Sequence, residues 1–119
     1  MKKILIVEDV EMNRDLLVQL LEDDYELVEA TDGKQGLEMA AQERPDLILL
    51  DISLPEMDGW EVTRRIRADE ALKQIPIIAV TAHAMAGDEE KAYAQGCNGY
   101  LSKPIDEDEL WAKVEKQLG

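Results

Sequence analysis

Three short aliphatic runs limit what this chain can become: ILIV at 4–7, LILL at 47–50 and IIAV at 77–80. None alternates with polar residues, which is the pattern of a strand covered on both faces, as in a parallel sheet. Weaker strand candidates lie at 25–30 and 99–102, and segments with helical spacing separate the five. Leu16, Leu17, Leu20 and Leu21 make one apolar face, and Leu37, Met39, Ala40 and Ala41 a second. Trp60, Val62, Ile66 and Leu72 serve a third helix, an Ala-rich stretch at 84–95 reads as a fourth, and Leu110, Trp111, Val114 and Leu118 line one face of a fifth over 107–118. Breakers agree with this division: Gly33 follows the second strand, Pro45 and Pro76 precede the third and fourth, and Gly96 closes the fourth helix.

Strand and single helix alternating five times imply an α/β fold, a doubly wound (βα)5 unit with right-handed crossovers and a five-stranded parallel sheet. Ligands of such sheets sit outside the carboxyl ends of the strands, where strand order reverses. The residues that follow the strands are Glu8-Asp9, Asp51, Thr81-Ala82 and Lys103-Pro104. The topology therefore gathers three carboxylates, a hydroxyl and an ammonium at one mouth.

A chain of 119 residues fits one domain, 1–119, able to bury its own core. Asp and Glu number 27 against 13 Lys and Arg, for a formal net charge of −14. Such a surface repels phosphate backbones and anionic headgroups, so direct nucleic-acid or membrane binding is not expected. MKKILIV is too short an apolar start for a signal peptide or membrane span, and Cys97 is the single cysteine, which fits a reducing cytoplasm.

Three carboxylates at one mouth repel unless a cation joins them. Mg2+ suits the donor set: it is hard, takes oxygen ligands, and commonly binds a few carboxylates together with a phosphate. A carboxylate beside it can act as a nucleophile and become an aspartyl phosphate, with Lys103 and Thr81 placed to meet phosphoryl oxygens.

On VED after the first strand, LLDISLPEMDG around the third, AVTA after the fourth and YLSKPI after the fifth, the sequence resembles a response-regulator receiver domain over essentially its whole length. The resemblance implies the flavodoxin-like strand order 2-1-3-4-5, Asp51 as phosphoacceptor, and Mg2+, with Mn2+ as a substitute, held by Glu8, Asp9, Asp51 and the backbone carbonyl of Ser53. It also implies Thr81 and Lys103 as the catalytic hydroxyl and ammonium, and Thr81 with Tyr100 as the switch pair. Ala82, His83 and Pro104 are adjacent to the site, with a cis Lys103-Pro104 bond. The implied donor is a histidine kinase or histidine phosphotransfer protein. A downstream protein effector would meet the face built by the fourth helix, fifth strand and fifth helix. The protein would promote its own phosphorylation and dephosphorylation without being a turnover enzyme.

Alternatives stay open at the level of sequence. The chain could be a receiver excised from a hybrid histidine kinase or a larger regulator. A Mg2+-dependent phosphatase with an aspartyl-phosphate intermediate would place a second acid two residues after its nucleophile, where this chain has Ser53. A flavin carrier would need a Gly/Ser/Thr-rich loop where this chain has VEDVEMN. Taken singly, Asp51 reads as a cap, Thr81 as a residue satisfying local backbone and Lys103 as a surface lysine. Their convergence carries the functional reading. Asp58-Gly59 reads as a turn with Asp58 capping a helix.

Overall fold

The computed structural model describes residues 1–82 and 86–119. The elements run β1 (Lys3–Val7), α1 (Glu11–Leu21), β2 (Glu26–Ala30), α2 (Gly33–Glu43), β3 (Leu47–Asp51), α3 (Gly59–Ala68), β4 (Ile77–Thr81), α4 (Asp88–Gln95), β5 (Gly99–Ser102) and α5 (Glu107–Leu118). All strand pairs are parallel, in the order β2-β1-β3-β4-β5.

The absence of polar alternation in the three central strands has a direct cause. Leu5, Val7, Ile48, Leu50, Ile77 and Ala79 point to one face and pack with Ala40, Val62, Ile66 and Ala92 of α2, α3 and α4. Ile4, Ile6, Leu47, Leu49, Ile78 and Val80 point to the other, against Leu17 and Leu21 of α1 and Leu110 and Val114 of α5. Successive strand residues face opposite ways, so two apolar layers demand an aliphatic residue at every position. Among the described residues no helix is long and apolar enough to cross a membrane.

Helix boundaries follow local chemistry. Asp32, Asp58 and Asp106 each accept a hydrogen bond from a first-turn backbone N–H, of Gln35, Glu61 and Glu109 respectively. These carboxylates satisfy orphan donors and lie at the positive end of the helix dipole. Gly96 ends α4 at φ 109°, a conformation that suits glycine. Helix α1 ends without a left-handed residue: Glu22 stays right-handed, and Asp24 and Tyr25 both donate to the Leu21 carbonyl.

Three apolar-face assignments differ from the sequence expectation, at Leu16, Ala41 and Leu72; Leu16 of α1 is 42% exposed. Ala41 is exposed, and α2 instead turns Gly33, Gly36 and Ala40 inward. A Cβ on Gly36 would lie 3.0 Å from Val7 Cγ2, so the helix approaches β1 through its glycines and not through larger side chains. Leu72 is buried in the core but lies beyond the end of α3, in the turn before β4. Helix α4 begins at Asp88 after the left-handed Gly87; positions 84 and 85 of the Ala-rich stretch lie outside the described residues.

Candidate functional site

The register of the sheet sets the site. Val7 pairs with Leu50, Asp51 with Val80 and Thr81 with Ser102, so the ends of β1, β3, β4 and β5 lie at one carboxyl edge. The chain leaves that edge in an ordered way: Glu8 N donates to the Ala30 carbonyl, Ile52 N to that of Val80 and Lys103 N to that of Thr81. Asp51 and Thr81 are the last residues of their strands, and both are buried.

Glu8, Asp9 and Asp51 each offer a carboxylate oxygen, and these atoms lie within 4.8 Å of one another. Glu8 is 1% exposed and Asp51 4%, whereas Asp9 faces solvent. Lys103 Nζ donates to Glu8 Oε1 at 2.6 Å and to Asp51 Oδ2 at 3.4 Å. Backbone donors hold the remaining oxygens, Val10 N to Glu8 Oε2 at 3.1 Å and Ser53 N to Asp51 Oδ1 at 2.9 Å. One ammonium therefore bridges two of the three clustered carboxyl groups. Oxygen donors alone, two of them buried, suit a hard divalent cation that keeps water on its open side.

Charge in this cluster is held under tension. Burial pushes the Glu8 carboxyl up from 4.5 to about 7, against the opposing hydrogen bonds from Lys103 and Val10, and neighbouring Asp51 adds to the rise. Burial pulls the Lys103 ammonium down, but its hydrogen bond to Glu8 and the field of Asp51 outweigh that and leave it raised. A carboxyl whose folded value lies above its unfolded one stabilises the fold in its protonated form. That contribution is complete below pH 4.5 and is lost as pH rises through about 7. Metal-free protein should therefore lose about 2 kcal/mol of stability between roughly pH 5 and pH 8, and Glu8→Gln should flatten the decline. Urea unfolding in EDTA across that range measures it; an equal slope in the variant would exclude Glu8 as the source.

Tyr100 packs beside the α2-α3-α4 core layer, and its hydroxyl is buried with no hydrogen-bond partner among the described residues. Burial raises its titration point, and Asp88 and Glu89 raise it further. Ala82 and Ser53 are exposed beside the site, and the Lys103-Pro104 bond is cis. His83 lies outside the described residues. A small cleft of about 130 Å3 opens beside Glu8 and Lys103, lined by Asn13, Leu16, Pro104 and Ile105 among others.

The sequence reading missed two contributors. Gly59 donates its N–H to the Ile52 carbonyl at 3.0 Å and sits so near the end of β3 that a Cβ would lie 2.8 Å from the Asp51 carbonyl oxygen. Arg14 reaches from α1 to the carbonyl oxygen of Glu8 at 3.0 Å. The only hint of Arg14 was a lone basic residue within the acidic opening of α1.

Known proteins share this arrangement. The family model for the response regulator receiver domain matches residues 4–115. The polar-differentiation response regulator DivK of Brucella anthropi is 45% identical over 119 residues, spanning 99% of this chain and 97% of the relative. Chemotaxis protein CheY4 of Vibrio cholerae superposes with a TM-score of 0.90 at 30% identity, covering 98% of both chains. The receiver domain of sensor histidine kinase PA1611 from Pseudomonas aeruginosa also gives a TM-score of 0.90, at 39% identity over 99% of this chain and 98% of that one. In that structure a magnesium ion is coordinated in the active site cleft. Sheet order, strand-end acids and the span of the match lead to one assignment: the chain belongs to the response regulator receiver domain family of two-component signalling proteins.

Proposed function

We propose that residues 1–119 act as one receiver unit that accepts a phosphoryl group on Asp51. The donor is a phosphohistidine of a histidine kinase or a phosphotransfer protein. The observation that carries this reading is the convergence of Glu8, Asp9 and Asp51 within 4.8 Å, with Lys103 bridging two of them. Glu8, Asp9, Asp51 and the Ser53 carbonyl would hold Mg2+, or Mn2+ in its place, which when bound neutralises charge on the phosphoryl oxygens.

An Asp51 carboxylate oxygen attacks phosphorus, the P–N bond to the donor imidazole breaks, and the departing ring nitrogen takes a proton from solvent. The Ser53 N–H bond to Oδ1 orients the Asp51 carboxylate. Lys103 is already within reach of Oδ2 and moves its hydrogen bonds to the incoming phosphoryl oxygens. Thr81 lies at the end of the adjacent strand, and its hydroxyl donates to the acyl phosphate. The protein's contribution is placement and electrostatics, as phosphoryl transfer generally requires.

Phosphorylation then favours a second arrangement of the α4-β5-α5 face through Thr81 and Tyr100. The buried Tyr100 hydroxyl supports this assignment, since it has no partner among the described residues and a state that supplies one would stabilise it. A downstream protein would read that face. The unit acts as a signalling element of the cytoplasm and not as a turnover enzyme.

Incubation with Mg2+ and a small acyl phosphate should add one phosphoryl group by intact mass, with release of the free carboxylate. Asp51→Asn should remain unmodified. Equal labelling of the variant would place the acceptor elsewhere, and steady turnover of a chromogenic phosphate ester would favour a phosphatase.

A further inference from the structure

The acid pair is held from the α1 side as well as from Lys103. Arg14 Nη1 donates to the Glu8 carbonyl oxygen at 3.0 Å, and its Nε donates to Glu29 Oε1 on β2 at 3.1 Å. The Arg14 side chain is 15% exposed, and its contact with the Glu8 carbonyl is part-buried, whereas Glu29 is 45% exposed. The gripped carbonyl belongs to the planar peptide unit that joins Glu8 to Asp9. Fixing that plane fixes the direction in which Asp9 leaves it. Glu8 needs little further help: its N–H is bonded to Ala30, and its carboxylate to Lys103 and Val10. The Asp9 side chain has no comparable hydrogen bond or ion pair among the described residues, so its aim rests on the backbone.

We propose that Arg14 is a positioning residue for the cation site: braced by Glu29, it clamps the Glu8–Asp9 peptide and so aims the Asp9 carboxylate at the point shared with Glu8 and Asp51. This rests on the reading of that cluster as a divalent-cation site. Simple charge predicts the opposite sign, because a guanidinium acting only as a positive charge repels a cation and its removal would tighten binding.

The test is Mg2+ titration by isothermal calorimetry of the wild type, Arg14→Met, Arg14→Lys and Glu29→Gln, with unfolding midpoints measured in EDTA. Arg14→Met should bind Mg2+ about tenfold more weakly, the scale set by groups that orient metal ligands. Arg14→Lys should recover only part of this, since a single ammonium cannot reproduce the guanidinium fork. Glu29→Gln, which keeps the guanidinium, should weaken binding by about two- to threefold and serves if the Arg14 variants fold poorly. Wild-type affinity or tighter in Arg14→Met overturns the proposal, even with a lowered midpoint in EDTA, because that combination marks a purely structural residue. Full recovery in Arg14→Lys overturns the clamp. Failure of the wild type to bind Mg2+ overturns the underlying site reading itself and is thereby told apart.

Discussion

Lys103→Met should lower the stability of the metal-free protein by about 2–3 kcal/mol at neutral pH, and saturating Mg2+ should restore most of the loss. In the wild type the Lys103 ammonium lies 2.6 Å from Glu8 and 3.4 Å from Asp51, both buried. Removing one partner of a buried ion pair typically costs about 3–5 kcal/mol, because the remaining charge keeps its desolvation penalty. The expected value is lower here because Glu8 already titrates near neutrality and takes up a proton when its partner goes. The same argument fixes the pH dependence: the deficit should shrink on acidification to about pH 5, where a protonated Glu8 no longer needs the ammonium. Chemical unfolding with EDTA and with Mg2+, at both pH values, gives the comparison. A deficit unaffected by either proton or metal would mean that Lys103 acts through its aliphatic stem alone.

A second large loss is expected from a single methyl group. Gly59→Ala would set a Cβ 2.6 Å from Ile52 Cδ1, 2.7 Å from Ile52 Cα and 2.8 Å from the Asp51 carbonyl oxygen. Two of those atoms are backbone, so no rotamer change relieves the contact. Overpacking of this kind costs about 1–3 kcal/mol, and the upper end applies because the start of α3 has to back away from β3. The displacement also shifts the segment that carries the Ser53 N–H and carbonyl. Phosphorylation from a small donor should therefore slow by more than the loss of folded protein accounts for. Thermal unfolding and initial labelling rates on the same samples separate the two effects; a variant with wild-type values for both would show that α3 is not seated on this backbone.

These two cases also show where sequence reasoning stops. Asp51, Glu8, Thr81 and Lys103 were legible because each ends or follows an apolar run, and parallel topology gathers strand ends without any knowledge of side chains. The strand positions were legible because double-sided burial leaves no room for polar residues. Gly59 was legible only as a turn residue, since its close approach to Ile52 depends on how α3 docks against the sheet. The inward face of α2 was misread at Ala41 for a similar reason: glycines allow the helix to come close, and hydrophobicity does not register them. Alanine propensity is a local quantity and does not mark where α4 starts. Gly87 begins that helix from a left-handed conformation. Arg14 is not legible because its partner at the site is a main-chain carbonyl, which leaves no mark in sequence.

The unequal seating of the helices sets an energy scale for the proposed switch. Helix α3 buries Gly59, Val62, Thr63 and Ile66, whereas α4 buries Ala92 alone and, among the described residues, has no side-chain cap from its N-cap position. Segments with few buried apolar contacts open at a small fraction of the global unfolding free energy. For such a segment one new hydrogen bond, about 1–1.5 kcal/mol, changes the ratio of two arrangements by roughly tenfold. The same increment at α3 would be lost against its buried core. Under the proposed function, a lightly anchored α4 would let a single covalent group on Asp51 act as a population switch without disturbing the layers that hold the sheet together.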